Sequence, residues 1–244
     1  MSFDVIVGLG RGIQMLSANA PPAETSSWGL TEDLELCDTN SAHLRVRVPV
    51  DDESPYCMVG GGEMILEAAC LLIQQYQPEV AVCAYGHRAD YLAKLDAPSE
   101  SEVMSAMLKA RFAETELLPE IVVWPRERQL SMPSNTRQEL LNLFDLAIER
   151  GLDSIAIVAV GVHAPRVATY VLKHMSVYPQ YRSLRVVVLE AEEVLLAEDR
   201  EQYTPRVEAL RNSQSFARNW AREATGISKI VRDVYGDAKP QVVT

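Results

Sequence analysis

Short apolar runs alternate along the chain with longer segments of helical periodicity. Runs that are apolar at nearly every position predict buried strands over 4–8, 80–85, 120–124, 154–160 and 184–189. Between them, apolar residues recur at helical spacing, which predicts helices over 60–76, 101–112, 136–150 and 165–175. Uniformly apolar strands that alternate with helices predict an α/β fold, a three-layer Rossmann-like parallel sheet covered on both faces.

Two segments depart from this alternation. Residues 17–56 are rich in Ser, Pro, Asp and Thr, and we interpret them as an insertion. The insertion contains one alternating run at 44–50, which predicts a half-buried edge strand in a small flap or hairpin. A helical tail is predicted over 205–224 and 227–234. We therefore expect a single domain over 1–244, with the insertion at 17–56, a core at 57–175 and C-terminal helices at 205–235.

Composition narrows the range of partners. The chain has 244 residues, of which 48% are hydrophobic and 23% charged, as expected for one globular domain. Its 23 basic and 34 acidic residues give a net charge of −11, which disfavours binding to nucleic acid. No apolar run approaches the ~20 residues that span a bilayer. Together with an N-terminus that lacks a signal-peptide pattern, this predicts a cytoplasmic protein without a membrane partner.

Glycine-rich turns mark two possible anion sites, because ligands of parallel sheets bind beyond the carboxyl ends of the strands. Gly8-Leu-Gly10-Arg11-Gly12 follows the first predicted strand, where backbone amides could approach a phosphate or carboxylate and Arg11 could clamp it. A tight turn without a ligand is the alternative. Gly60, Gly61 and Gly62 open a predicted helix, whose amides and dipole could also bind an anion. Close helix packing explains these glycines equally well.

Two further polar steps lie at the ends of predicted strands. Ser134, Asn135 and Thr136 precede a helix and can cap it or bind a ligand, and Thr136 with the residue three positions later has the spacing of a capping box. His163 and Arg166 follow the strand at 154–160, three residues apart at a helix entry. An imidazole can move a proton near neutral pH, and a guanidinium can hold a phosphate through two hydrogen bonds.

Other charged and sulfur-bearing residues are weaker candidates. Arg126 and Arg128 could make the mouth of a pocket basic, or they could be solvated and pair with neighbouring acids. The widely spaced cysteines form no C-x-x-C, and we interpret them as structural thiols. Carboxylates in the loops leave a metal possible, but no ligand spacing requires one, so no metal site is predicted.

The Asn-Thr step and the His-x-Pro-Arg segment together resemble a known family, the domain-of-unknown-function 218 proteins, also called the YdcF/SanA/ElyC-like group. The resemblance runs in family order over 57–175, with the first strand as an outlier. The matching residues are Gly8-Leu-Gly10 or Gly60-Gly-Gly62, then Ser101-Glu102, Asn135-Thr136 and His163-Ala-Pro165-Arg166.

The resemblance implies a Rossmann-like sheet with a pocket built by a glycine loop, Asn-Thr and His/Arg. One member of the family has been linked to S-adenosylmethionine, so this cofactor or a nucleotide is possible here. Envelope-associated members carry a membrane anchor, and that role is not carried over. The chain departs from the family pattern in lacking several polar groups, and the corresponding residues here are Gln138-Glu139, Ala159-Val160 and Ala84-Tyr-Gly86.

These observations lead to three functional hypotheses. The first is an enzyme for a phosphorylated or nucleotide-like small molecule, performing phosphoester hydrolysis or group transfer. In it, Arg166 and Arg11 hold the anion, His163 is the general acid or base, and Glu102 orients a hydroxyl group or a water. The second is a non-catalytic module that binds or senses a nucleotide or S-adenosylmethionine. The third is an interaction scaffold that uses the acidic surface and the helical tail around Trp220. The oligomeric state stays open.

Overall fold

The computed structural model describes residues 2–37, 46–115, 117–125, 128 and 135–232. The strands in this part of the chain are β1 (Val5–Gly8), β2 (Ile13–Met15), β3 (Trp28–Leu30), β4 (Leu34–Leu36), β5 (Cys57–Val59), β6 (Val80–Cys83), β7 (Glu120–Val123), β8 (Ser154–Ala159) and β9 (Arg185–Glu190). The α-helices are α1 (Gly62–Tyr76), α2 (Asp90–Lys94), α3 (Glu100–Arg111), α4 (Thr136–Arg150), α5 (Ala164–Val177), α6 (Ala191–Glu198), α7 (Arg200–Arg211) and α8 (Gln214–Val231).

Five parallel strands form the central sheet in the order β7-β6-β1-β8-β9. Val5 of β1 is in register with Val80 of β6 on one side and with Ile155 of β8 on the other. The chain therefore proceeds outward from β1 to β7, then returns across β1 to start the other half with β8. Such a reversal opens a crevice beyond the carboxyl ends of β1 and β8, where ligands of this fold class bind. The predicted Rossmann-like α/β fold is confirmed.

Alternate strand residues pack into two separate cores, as a sheet covered on both faces requires. Ile6 packs with Ile65 of α1 and Met104 of α3 on one face. Val7 packs with Phe144 of α4 on the other face, where α5 also contributes. β8 is completely buried along its length, which explains why its residues after Ser154 are all apolar.

The insertion contributes β3 and β4, which form small antiparallel pairs with β2 just before it and β5 just after it. The strand predicted at 44–50 is wrong for the residues that the structure describes, since Val46 makes a single bridge to Met15 and no strand follows. Arg47 instead donates to the Leu30 carbonyl oxygen at 2.7 Å and pairs with Glu63. Residues 44 and 45 lie outside the described residues.

The helical tail differs from the prediction at its break and in its extent. Helix α7 ends at Arg211, and Ser213 caps α8 by accepting a hydrogen bond from the Phe216 amide at 3.0 Å. This serine cap divides the predicted helix at 205–224, so that its first part is the end of α7. The predicted break at 225–226 is absent, because α8 continues through it to Val231. Helix α6, directly after β9, was not predicted. None of the described helices is long and apolar enough to cross a membrane.

Candidate functional site

Two glutamates enclose the loop that follows β1. Glu100, at the start of α3, accepts hydrogen bonds from the amides of Arg11 and Gly12, and Glu139 of α4 accepts one from the Gly10 amide. A Cβ on Gly10 would lie 2.8 Å from Oε1 of Glu139 and 2.9 Å from Oε2 of Glu100, so a larger residue there would force these carboxyl groups to shift. The amides predicted to bind an anion are therefore occupied by carboxylates of the protein.

Burial opposes ionisation of both carboxyl groups. Burial raises the pKa of Glu139 to about 8, and the nearby Glu100 adds to the shift. Burial also raises the pKa of Glu100, although the amides of Gly12 and Arg11 oppose this. Glu139 therefore carries its proton through most of the neutral range, and a carboxylic acid can donate a hydrogen bond as well as accept one.

These carboxyl groups border a pocket of about 320 Å³, which we call the acidic pocket. Asn135 and Thr136 at the start of α4 lie on its wall, together with His87 from the loop after β6. The residues that line the acidic pocket are Gly10, Arg11, Gly12, Ile13, His87, Ala89, Tyr91, Leu92, Glu100, Asn135, Thr136 and Glu139.

His163 lies immediately beyond β8, at the N-terminal end of α5, and is only 3% exposed. Its Nε2 is 3.1 Å from Oγ1 of Thr136, and its Nδ1 is 3.1 Å from Oε1 of Glu223. Glu223 belongs to α8, which packs against α5. A hydroxyl, an imidazole and a carboxylate are thus in contact one after the other, although the contact between Nδ1 and Glu223 lacks hydrogen-bond geometry.

The protonation states of these groups follow from burial and charge. Burial lowers the pKa of His163, so the ring is neutral near pH 7. Burial alone would raise the pKa of Glu223, but the contacts with His163 and Arg166 outweigh it and lower that pKa. Because an ionised carboxylate can only accept, the proton of the neutral ring belongs on Nδ1. Nε2 is then the acceptor that faces the Thr136 hydroxyl.

A second pocket of about 510 Å³ lies on the other side of Glu223, and we call it the basic pocket. Arg166 borders it and places NH1 3.3 Å from Oε2 of Glu223. Four basic side chains and two acidic ones reach it, so it is positive in a chain of net charge −11. Its lining is Arg11, Glu35, Cys37, Met58, Val59, Arg166, Asn219, Arg222, Glu223, Thr225, Gly226 and Lys229.

Arg11 connects the two pockets, since it lines both. Its guanidinium donates to the carbonyl oxygens of Val59 at 2.8 Å and Gly60 at 3.0 Å, which hold the side chain in place. Its charge lowers the pKa of four groups around it, namely Glu100, Glu139, His163 and Glu223. Arg11 is thus a positive charge that influences the ionisable groups of both pockets in the crevice between β1 and β8.

The Gly60–Gly62 turn is not an open anion site. The Gly60 amide donates to Asp33 O at 3.0 Å, and the Gly62 amide donates to Thr31 Oγ1 at 3.0 Å. Gly61 has φ +85, and a Cβ there would lie 2.1 Å from Cγ1 of Val160. The three glycines are buried and allow close packing of the α1 entry against the insertion and the end of β8, which was the alternative interpretation. Gly8 is likewise buried, as the last residue of β1.

Several other predicted residues have structural roles. Glu102 forms a capping box with Ser99 and accepts a hydrogen bond from the Ser99 amide at 2.7 Å. The carboxylate at the Gly10 loop is therefore that of Glu100. Asn135 caps α4 by accepting from the Gln138 amide at 3.1 Å, and the capping box predicted for Thr136 does not form. Arg128 lies 5.1 Å from the centre of the Trp124 ring. Ser134 and Arg126 lie outside the described residues.

The carboxylates of the site and two of the four cations of the basic pocket were not identified from the sequence. Glu100, Glu139 and Glu223 were assigned no ligand role, and Arg222 and Lys229 belong to a tail for which only a scaffold surface around Trp220 was considered. One signal was present in α8, where Asn219, Glu223 and Gly226 recur at helical spacing on its buried face.

Within the described part of the chain, no three His, Cys, Asp or Glu side chains are arranged to hold a metal ion. Searches against protein-family models, curated proteins and solved structures returned no match.

Proposed function

We propose that the protein is an enzyme that acts on a phosphorylated or nucleotide-like small molecule, by phosphoester hydrolysis or group transfer. One observation carries the proposal, namely that Arg166 and His163 contact the two oxygens of the same carboxylate, Glu223. A cation suited to hold a phosphate and an imidazole suited to move a proton are therefore fixed relative to each other. Positioning of this kind accounts for much of the rate enhancement in phosphoryl transfer.

The anion binds in the basic pocket. Arg11 and Arg166 approach it from the ends of β1 and β8, and Arg222 and Lys229 add charge from α8. A dianionic phosphate gains more from this arrangement than a monoanion, because the attraction scales with the product of the charges. The protonated Glu139 beyond Arg11 avoids adding a repelling charge at neutral pH.

Proton transfer in this proposal passes through Thr136. His163 is buried and lines neither pocket, whereas Thr136, 3.1 Å from its Nε2, lies on the wall of the acidic pocket. The hydroxyl-orienting role expected of Glu102 is taken by Glu100 and Glu139, which border the same pocket.

The burial of His163 also favours a second candidate, a binding or sensor module for a nucleotide or S-adenosylmethionine. A ligand confined to the basic pocket would touch cations and carboxylates but not the imidazole. Membership of the domain-of-unknown-function 218 family, proposed from its motifs, is compatible with both candidates. We place either activity in the cytoplasm, because Cys37, Cys57, Cys70 and Cys83 are all free thiols.

A thermal-shift screen of nucleotides, sugar phosphates and S-adenosylmethionine tests the proposed function. We expect a phosphate-bearing compound to stabilise the wild type and the control Arg200→Ala, whose arginine is exposed on α7, but not Arg166→Ala. Equal stabilisation of wild type and Arg166→Ala would exclude the basic pocket as the site. For any stabilising phosphoester, phosphate release is then measured, and His163→Ala should bind without turnover. A wild type that binds but never turns over would identify the sensor.

A further inference from the structure

Resting on the proposed function, we propose that Thr136 is the nucleophile and that the transferred phosphoryl group forms a transient ester on its Oγ1. His163 is the base that activates the hydroxyl, and Glu223 is a positioning residue that orients the imidazole. The arrangement of hydroxyl, base and orienting group has the geometry expected of an activated nucleophile.

Thr136 and His163 are within hydrogen-bonding distance of each other, and His163 is in close contact with Glu223. Oγ1 of Thr136 is 3.1 Å from Nε2 of His163, whose Nδ1 is 3.1 Å from Oε1 of Glu223. The three side chains come from α4, from the residue that precedes α5 and from α8, so no single helix brings them together. Capping does not explain the Thr136 contact either, because Asn135 caps α4 through the Gln138 amide.

The electrostatic surroundings suit this role. A neutral His163 can accept the Thr136 proton, and the ionised Glu223 stabilises the imidazolium that results. Thr136 is the first residue of α4, where the positive end of the helix dipole favours negative charge on Oγ1. Arg11 lines both this pocket and the basic pocket, and in the proposal it holds the phosphate where the two pockets meet.

The step balances without any co-reactant except water. In the first half, Oγ1 bonds to phosphorus as the bond from phosphorus to the leaving oxygen breaks. The Thr136 proton passes to Nε2 of His163 and from there to the leaving oxygen. In the second half, water attacks phosphorus and gives its proton to His163, the bond from phosphorus to Oγ1 breaks, and Thr136 recovers the proton. The net reaction is hydrolysis, or transfer when an alcohol replaces water.

Covalent labelling of the full chain tests the inference. The protein is incubated with p-nitrophenyl phosphate and quenched in acid, and the phosphorylated peptide is mapped by mass spectrometry. We expect the phosphoryl group on Thr136 in the wild type and on the serine in Thr136→Ser, and none in Thr136→Val. Thr115→Val, at an exposed threonine after α3, is the control and should label like the wild type.

Glu223→Gln separates orientation from simple folding. We expect turnover of p-nitrophenyl phosphate to fall at least tenfold in kcat, and the acid limb of its pH profile to move to lower pH, because His163 loses the neighbouring negative charge. A purely structural role would leave that limb in place.

A wild type that yields no label on Thr136, or a Thr136→Val variant that labels elsewhere at the same rate, overturns the nucleophile. Calorimetry with inorganic phosphate then shows whether only the nucleophile is wrong or the proposed function as well. Binding by wild type and not by Arg166→Ala leaves the proposed anion site intact, and absence of binding by the wild type removes the proposed function as well.

Discussion

His163 and Arg166, three residues apart at the start of α5, contact opposite oxygens of one carboxylate, that of Glu223 on α8. This contact joins the strand ends of the sheet to the C-terminal tail, which the chain reaches 57 residues after Arg166. The tail therefore contributes a side chain to the crevice as well as covering a core, since its carboxylate contacts both His163 and Arg166. Changes in α8 should then alter the crevice without touching the sheet.

Removing this carboxylate should destabilise the fold. We expect Glu223→Ala to lower the free energy of unfolding by about 1–3 kcal/mol, because a buried imidazole and a guanidinium lose the acceptor that both contact. Urea unfolding followed by circular dichroism measures the loss. Glu198→Ala, at an exposed position at the end of α6, is the control and should change stability by less than about 0.5 kcal/mol. Equal effects of the two substitutions would contradict the structural role of Glu223.

The proximity of Arg11 and His163 could be predicted from the sequence, because it follows from the parallel sheet. Parallel strands align their carboxyl ends, so Arg11 after β1 and His163 after β8 were expected at one edge, and the structure brings them to the same crevice. Glu223 was not predictable in this way, because its position depends on how a distant amphipathic helix packs against α5. Local periodicity specifies which face of α8 is buried but not which element covers it.

The choice between Glu100 and Glu102 shows a second limit of sequence reasoning. Both glutamates stand in the first turn of α3, where carboxylates are favoured. The capping box with Ser99 takes Glu102, and this geometry leaves Glu100 to reach the Arg11 and Gly12 amides. The Ser101-Glu102 motif points to this turn of α3, but only the direction of the helix relative to the β1 loop decides which glutamate reaches the site.

Neutralising Glu139 should stabilise the protein in a pH-dependent way. Its folded pKa of about 8 lies above the ordinary value of 4.5, so the wild type is progressively destabilised as pH rises from 4.5 to about 8. Each pH unit in that window costs up to about 1.4 kcal/mol. We expect Glu139→Gln, which keeps an acceptor for the Gly10 amide, to be more stable than the wild type near pH 8, with the difference vanishing below about 4.5.

Chemical denaturation at several pH values checks this expectation. The matched control is Glu149→Gln, because Glu149 is an exposed glutamate on the same helix. Its stability should follow that of the wild type at every pH. A Glu139→Gln variant that shows the same pH dependence as the wild type would mean that Glu139 is ionised at neutral pH.

Ionisation of Glu139 should also change the affinity for anions, because Arg11 lines the anion site. Ionised Glu139 places a negative charge next to the guanidinium that the two pockets share, so anion affinity should fall as pH rises past about 8. Sulfate is a suitable probe because its charge is constant over this range. We expect calorimetric sulfate affinity to decline several-fold between pH 7 and 9 in the wild type and to stay level in Glu139→Gln. A parallel decline in both proteins would place the titrating group elsewhere.

Gly61 is the position where backbone geometry and packing together should be least tolerant of substitution. Its φ of +85 is unfavourable for any other residue, and a Cβ would lie 2.1 Å from Cγ1 of Val160. Gly151, with φ +69 and nothing within 4 Å of a Cβ, isolates the backbone term, so Gly151→Ala should cost about 1–2 kcal/mol. Gly61→Ala should cost about 1–3 kcal/mol more than Gly151→Ala, because of overpacking.

Adding Val160→Ala to Gly61→Ala should recover part of that excess in denaturant unfolding, since it removes the side-chain atom that the new Cβ would clash with. Equal costs for the two glycines, or no recovery in the double variant, would show that the α1 entry yields without straining the end of β8.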